Sequence, residues 1–514
     1  MPSSPPWWQT AVIYQVYPRS FLDSDGDGVG DLDGLRARVG HIRDLGVDGV
    51  WLSPIYRSPM ADFGYDVSDH CAVDPVFGDL DGFDRLLADA HDSGLRLLLD
   101  WVPNHTSDRH PWFLESRSSR DSPRRDWYFW RDGRDGGPPN NWRAAFGGAA
   151  WTWDDHTGQW YLHLFLPEQP DLNWANPDVV EAMHGVLRFW LDRGVDGFRA
   201  DVVHLIGKDP ALPDQPPDLA DIDLVGVHDH PAAHPLLRGI RGVLDSYPGE
   251  RVMVGEVNLG SAERLAPYYG EGDELHMVFN FTLLRAAWRA ELWAATIAAS
   301  EQALQGEGLW PVWVLSNHDE PRHRTRYGGS EARARVAAVV LLTLRGTPFL
   351  YAGEELGLED AAVAAAEAVD PAGRDGCRAP IPWTSGNEHG WPVRPWLPWP
   401  PDAAVRSVEA QRADADSILH LYRRLLTTRR ASDALRAGSW RLLDTPSGVL
   451  AYERDGDDPR RVLANFADEP ADFGLAGGWI IEVATSARQE GKPYGGRLAA
   501  LEAVVLRRGA QERG

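Results

Sequence analysis

The sequence predicts an α/β chain organised as a (β/α)8 TIM barrel, with a small domain inserted after the third strand and an antiparallel β-domain at the C-terminal end. Three observations predict it. Short apolar runs alternate with amphipathic stretches eight times, the pattern of parallel strands with helical crossovers. One connection is far longer than the others and carries no long helical pattern. Beyond about residue 436 the spacing shortens to alternating stretches separated by turn residues.

The eight runs are Ala11–Val16, Gly49–Leu52, Leu95–Val102, Val195–Val203, Arg251–Val257, Met277–Phe281, Val312–Leu315 and Pro348–Tyr351. Eight such units in roughly 430 residues fit a closed barrel with insertions better than an open sheet. Between the runs lie helical patterns. Leu35, Val39, Ile42 and Leu45 recur at helical spacing, and Gly46 closes that element. Phe83–His91, Val179–Leu191, Leu236–Leu244, Leu283–Leu304 and Arg333–Leu344 read the same way, and the Ala-rich stretch Ala361–Ala372 suggests a lid or surface helix. The barrel thus occupies residues 1–103 and 175–435, the insertion 104–174 and the β-domain 436–514. In the last, Ser439–Leu443, Val449–Tyr452, Val462–Asn465, Trp479–Val483 and Ala503–Leu506 are the expected strands.

Composition narrows the function. A net charge of −25 argues against nucleic acid or an anionic membrane as a partner. Only Cys71 and Cys377 occur, too few for a disulfide framework. No basic segment followed by an apolar one opens the chain, and no apolar run is long enough to span a bilayer. A cytoplasmic enzyme acting as monomer or homodimer, without organic cofactor, is expected. Many of the 23 Trp sit beside Asp, Asn, Arg and Gly. Flat aromatic faces flanked by polar groups suit sugar rings, while the remaining Trp fill a large core.

In a barrel of this kind chemistry collects where strands end. The third run ends at Asp100, followed by Asn104 and His105; the fourth brings Arg199, Asp201 and His204; the fifth Glu256 and Asn258. The seventh brings Asn317, His318, Asp319 and Glu320, and the eighth Glu354 and Glu355. Acetal hydrolysis requires an acid to protonate the leaving oxygen and a carboxylate on the opposite face, roughly 5 Å apart for retention. Neighbouring strands lie roughly 4.8 Å apart, so Asp201 and Glu256 meet that spacing. Arg199, two residues before Asp201, points to the same side and is expected to hold that carboxylate ionised. Glu256 follows Gly255 and an apolar strand, where burial is expected to keep it protonated as an acid.

The segments DWVPNH (100–105), GFRADVVH (197–204), GEVN (255–258) and SNHDEPR (316–322) resemble those of the α-amylase superfamily of glycoside hydrolases. QPDLNW (169–174) is similar to the α-glucosidase and oligo-1,6-glucosidase branch, and the likeness runs over nearly the whole chain. The resemblance implies Asp201 as nucleophile, Glu256 as acid/base and Asp319 as the carboxylate that grips sugar hydroxyls. His105, Arg199 and His318 would be their partners. FGYDVSDH offers Tyr65 as a stacking platform and Asp66 for a hydroxyl, GRDGCRAPIPW offers Arg378 as the partner of Asp66, and Phe146, Phe165 and Gln169 would complete a pocket for one terminal glucose. DSDGDGVGD (23–31) begins like an EF-hand loop but has Gly34 at the twelfth position and follows a strand. The family implies structural Ca²⁺ there, or Mg²⁺, held by Asp23, Asp25, Asp27, Asp31 and the carbonyl of Val29. His228, His230 and His234 are expected in a solvated loop.

The expected activity is release of terminal α-D-glucose from short malto- or isomalto-oligosaccharides through a glucosyl-enzyme on Asp201. Its alternative is a glucosyl isomerase or transglucosylase of the trehalose synthase or sucrose isomerase type. A non-catalytic transporter-heavy-chain relative would need a membrane helix or lost carboxylates, and neither is seen. Val202, after the nucleophile, accompanies α-1,6 activity in this branch, but VVHLIGKD and GCRAPIPW depart from the oligo-1,6 pattern, so linkage stays open.

Overall fold

In the computed structural model, which describes residues 5–219, 224, 228–305 and 308–509, each of the eight apolar runs contains a strand. These are β1 (Ile13–Val16), β2 (Gly49–Leu52) and β3 (Arg96–Trp101), then, after the insertion, β7 (Gly197–Ala200), β8 (Val252–Gly255), β9 (Met277–Asn280), β10 (Val312–Val314) and β11 (Thr347–Tyr351). They close in the order β1-β11-β10-β9-β8-β7-β3-β2, every pair parallel. Burial on both faces explains why these segments are continuously apolar rather than alternating. Ile13, Trp51, Leu98, Val254, Phe279 and Phe349 fill the barrel interior.

The crossover helices start where side chains capture free N–H groups. Asp79 accepts from Gly82 to open Leu80–Asp92, and Asn176, followed by Pro177, opens Pro177–Asp192. Phe83, Leu86, Leu87 and Ala90 form the buried stripe of the first. In Glu331–Thr343 every residue from Val336 on is buried, because this helix is packed against both Ile418–Ala431 and the C-terminal sheet.

Three helix expectations change. The first helix is split into Leu32–Ala37 and Val39–Leu45. The helix expected from Leu283 begins at Ala290: Asn280 Oδ1 accepts from the N–H and hydroxyl of Thr282, diverting the chain into turns that carry Phe281 and Arg285. Residues 361–372 form no helix, since the Asp375 carboxylate captures the N–H groups of Val369 and Asp370.

The insertion holds one short helix, Pro111–Arg117, and a sheet of β4 (Trp130–Arg131), β5 (Trp151–Asp154) and β6 (Gln159–Leu162) in the order β4-β6-β5. Phe129, Trp142, Trp151, Leu162 and Leu164 build its core, and Leu205 and Leu212 from the loop after β7 join it. Lys208 fastens this contact. Its buried Nζ donates to Asn104 Oδ1 at 2.9 Å and the Leu205 carbonyl at 2.7 Å, and lies 2.9 Å from Asp171 Oδ2. The C-terminal sheet comprises β12 (Trp440–Leu442), β13 (Val449–Arg454), β14 (Arg460–Asn465), β15 (Trp479–Ala484) and β16 (Ala503–Arg508), antiparallel in the order β12-β13-β14-β16-β15. No helix among the described residues is long and apolar enough to cross a membrane.

Removing Lys208 leaves the buried carboxylate of Asp171 without its counter-charge. Lys208→Met is expected to lower unfolding free energy by about 3–5 kcal/mol, read from denaturant titration. A loss below ~1 kcal/mol contradicts the anchoring role.

Candidate active site

At the ends of β3, β7 and β8 one guanidinium serves three carboxylates. Arg199 Nη1 donates to Asp100 and Asp201, each at 2.8 Å, and Nη2 donates to Glu256. The parallel register pairs Arg199 with Val254 and Ala200 with Gly255, and the Glu256 N–H bonds the Ala200 carbonyl at 2.8 Å. Asp201 and Glu256 are thus set at the same level on neighbouring strands. Val202 follows with φ of +34°, a left-handed conformation that its branched side chain disfavours, and its N–H lies 3.4 Å from Glu256 Oε2.

The charge state differs from the expectation. Burial pushes Asp201 well above the usual carboxylate range; Arg199 opposes this, and Glu256 and Asp100 add to it. Burial likewise raises Asp100, to about 6, against the pull of Arg199. Arg199 pulls Asp201 down against that burial, and its one positive charge is divided among three carboxylates. The Glu256 side chain is partly buried, at 14% exposure against 10% for Asp201, and it pairs with the same arginine.

A second cluster surrounds Asp319. Arg374 Nη1 lies at 3.0 Å, Arg378 Nη2 at 3.2 Å and His318 Nε2 at 3.2 Å. Burial would raise Asp319, but His318, Arg374 and Arg378 outweigh it and hold this carboxylate below its usual range. Burial lowers His318 and His105 to about 3 each, so both rings are neutral at pH 7. His318 contacts Gln15 through Nδ1 at 2.7 Å and stacks on Tyr65, whose hydroxyl donates to Asp100 at 3.0 Å.

Both clusters open on a cavity of about 450 Å³. Asp201, Glu256, Asp319, Tyr65, His105 and Val202 line it, as do Phe146 and Phe165 from the insertion. Arg199, His318, Gln169 and Arg378 stand behind the wall. Gln169 donates to Asp62 Oδ2 at 3.1 Å, and Arg378 bonds the His318 carbonyl and Asp370.

Asp66 does not reach the cavity, and Arg378 is not its partner. Asp66 is buried and accepts from Ser58 Oγ and from the N–H groups of Ala61 and Asp62, which closes the turn. That turn presents Asp62 instead, paired with Arg374 Nη2 at 2.6 Å. Both line the cavity, and Arg374 lies over the Phe146 ring. Asp62 and Arg374 are thus cavity residues the sequence reading missed; each stands four positions from the residue chosen, Arg374 within the same motif and Asp62 immediately before it.

Other expectations also change. No Trp among the described residues lines the cavity; most are buried in cores, and aromatic lining comes from Tyr65, Phe146, Phe165 and Phe281. Glu355 is buried against Tyr14 and His41, and Glu354 against His323, away from the mouth. His228 is not in a solvated loop: it lines the cavity and packs on His204. The carboxylates of Asp23, Asp25 and Asp27 bring oxygens within 4.8 Å of one another. Asp31 is not among them; it caps Leu32–Ala37 through Gly34 and accepts from Ser24.

Residues 15–438 match the model of the alpha-amylase catalytic domain. The chain belongs to the alpha-amylase family. It is a glycoside hydrolase of that family. A probable alpha-glucosidase of Rhizobium meliloti (strain 1021) is 43% identical over 90% of each chain, and an oligo-1,6-glucosidase of Parageobacillus thermoglucosidasius 37% identical over 91% of this chain and 92% of its own. Among solved structures, the alpha-glucosyl transfer enzyme XgtA superposes with a TM-score of 0.92 at 42% identity, covering 98% of this chain and all of its own. A single-site variant of the trehalulose synthase MutB gives 0.92 at 34% identity, with the same coverage.

Because burial raises Asp100 and Asp201, the folded protein binds more protons than the unfolded chain. Their contribution is therefore greatest at low pH and declines as pH rises from about 4 through 6. Asp201→Asn removes one of the carboxylates that share Arg199. It is expected to stabilise the protein at pH 7 by ~1 kcal/mol or more, with the gain shrinking toward pH 4 in thermal melts. A variant less stable than wild type at pH 7 contradicts this account.

Proposed function

We propose that this protein is a retaining, exo-acting α-glucosidase that releases terminal α-D-glucose from short malto- or isomalto-oligosaccharides. The observation that carries the reading is the single guanidinium shared by Asp201 and Glu256 beneath one cavity. Two carboxylates bound to one arginine lie close, as the roughly 5 Å separation for double displacement demands. Asp201 attacks the anomeric carbon while Glu256 gives its proton to the leaving oxygen. Glu256 then draws a proton from water, which displaces Asp201 and restores the α-anomer. Asp319, kept ionised by Arg374 and Arg378, accepts hydrogen bonds from sugar hydroxyls and faces the positive charge that develops on the ring. The neutral rings of His105 and His318 stand beside it as hydrogen-bonding groups. Asp62 and Arg374, overlain by Phe146, suit the hydroxyls of a terminal residue, which supports exo action.

A second reading, glucosyl transfer or isomerisation at the same Asp201, is favoured by likeness to an alpha-glucosyl transfer enzyme and to trehalulose synthase. Both readings are tested by NMR of the products first formed from maltose, isomaltose, sucrose and trehalose. Initial α-glucose is expected, and initial β-glucose would refute retention. Glucosyl transfer in excess of free glucose replaces the hydrolase reading with the second. Asp201→Asn is expected to lose at least ~10⁴ in kcat, the order lost when a member of a covalent catalytic unit is removed.

We further propose that the loop of Asp23, Asp25 and Asp27 holds Ca²⁺, with Mg²⁺ as the competing ion. Carboxylate oxygens drawn from alternate residues are hard ligands, and their mutual spacing fits metal–oxygen distances of about 2.4 Å. The Asp23 oxygens also accept from Asp25, Gly26 and Gly28, so the loop is closed around them. EDTA is expected to lower the melting temperature and Ca²⁺ to restore it, a linkage worth about 2.7 kcal/mol at 100-fold excess over Kd. An unchanged melt removes the ion from the account.

A further inference from the structure

At the end of the barrel opposite the acids, where the strands begin, lies a cavity of about 260 Å³. Thr10 lines it from the segment before β1, and Gly46 and Asp48 from the turn before β2. Arg429 and Arg430 come from the last turn of Ile418–Ala431, and Arg436 from the short helix that follows, Asp433–Ala437. Three guanidiniums and one carboxylate thus share one space, in a chain whose net charge is −25.

The carboxylate is already engaged. Asp48 Oδ2 accepts from the Val12 N–H at 2.9 Å, and Oδ1 accepts from Arg430 Nη2 at 3.0 Å. Arg429 is buried and spends its bonds on carbonyls. Nη1 donates to Leu342 and Leu344, each at 3.1 Å, and Nη2 to Gly346 at 2.6 Å, while Nε is enclosed without a partner. Buried Arg454 is likewise bonded to carbonyls, those of Thr343 and Gly438. Among the described residues neither arginine forms an ion pair with a carboxylate. Burial lowers Arg429 to about 10; Asp48 opposes this and Arg436 adds to it. Burial lowers Arg454 to about 9, and Arg429 adds to that. Carbonyls satisfy N–H groups but cancel no charge, so the cluster is left with a buried positive excess, a costly state.

We propose that this cavity is a binding site for a phosphate-class dianion, either inorganic phosphate or the phosphate of a monoester. Three guanidiniums against one carboxylate leave two positive charges, which a dianion balances and a monoanion does not. Guanidinium forks match phosphate oxygens, and each offers five N–H donors. Arg430 engages Gly46 and Asp48 through Nη2, and Arg436 meets the Thr10 hydroxyl through Nη2 at 3.4 Å, so both keep donors for a ligand. A bound anion joins the turn before β2 to two helices at the face of the barrel that serves stability rather than catalysis. Its effect is therefore on stability.

The test is calorimetric titration of inorganic phosphate and of glycerol phosphate, in chloride at constant ionic strength. Saturable binding to wild type is expected, and the tighter of the two ligands tells free phosphate from a monoester. Kd is expected to rise about tenfold or more in Arg430→Gln and in Arg436→Gln. Losing one charge-assisted bond predicts that order, since 1.4 kcal/mol is tenfold. Phosphate is also expected to raise the Tm of wild type more than that of either variant, which separates site occupancy from the ion's general salting effect. Arg430 is exposed and Arg436 half-buried, so if one variant fails to fold the other carries the test. Absence of saturable binding to wild type overturns the proposal. So does an unchanged Kd in a variant that melts like wild type, which would put the anion elsewhere. Displacement by an equal concentration of acetate overturns the choice of a dianion.

Discussion

The site depends on one buried cation. Arg199 is 3% exposed at the end of β7, and its charge is met from both sides by strands of the same barrel. Asp100 ends β3 and Glu256 follows β8, the two neighbours of β7 in the sheet. Closure guarantees those neighbours at about 4.8 Å, which no open edge could do. Trp51 and Tyr65 lie near the guanidinium and keep water from it. In that enclosure a single positive charge organises three acids. It fixes where each stands, and burial raises Asp100 and Asp201 against its pull.

The second cluster follows the same rule with a different ratio. Asp319, Asp62 and Asp370 share Arg374, and Arg378 adds a second guanidinium to Asp319 and Asp370. Three carboxylates on two arginines push Asp319 down, whereas three on one arginine let burial push Asp201 up. Two aspartates at one mouth thus differ in proton affinity because of how many cations their neighbours carry. The lowered one, Asp319, is a permanent negative charge beside the place where a sugar ring would develop positive charge.

The sequence shows the barrel and its acids for the same reason. A strand buried on both faces is largely apolar, so the first polar residues after it mark the mouth; Asp201 and Glu256 are found this way, and Asp319 closes the polar run that begins at Ser316 after β10. The rule misleads at Glu354 and Glu355, where the polar residues after β11 turn inward to Tyr14, His41 and His323. It is silent between Asp62 and Asp66. Both belong to one turn with positive φ at Met60, Phe63 and Gly64, and only the path of that turn decides which carboxylate faces out. Arg374 and Arg378 pose the same choice one helical turn apart. Trp misleads for a different reason: its indole N–H satisfies itself on a nearby carbonyl or carboxylate, so polar sequence neighbours do not signal exposure. Trp190 on the His70 carbonyl and Trp383 on the Phe21 carbonyl are examples.

The cavity is assembled from parts of unequal rigidity, and this bears on specificity. Asp201 and Glu256 directly follow barrel strands, and their places are set by backbone pairing. Phe146 and Phe165 come from the insertion, held to the barrel by Lys208, Asn104 and Asp171. Arg374 comes from the segment after β11, held by Asp370, while Phe281 and Arg285 come from turns that replace the start of a helix. Each wall is thus fastened by its own buried or half-buried polar contact, independent of the strands that carry the acids. A change in one wall alters what the cavity admits without moving Arg199 or its three carboxylates. Relatives at 34–43% identity carry names as different as alpha-glucosidase, glucosyl transfer enzyme and trehalulose synthase over one backbone, as such an arrangement allows. The strands define the chemistry, and the three separately fastened walls define the molecule on which it acts.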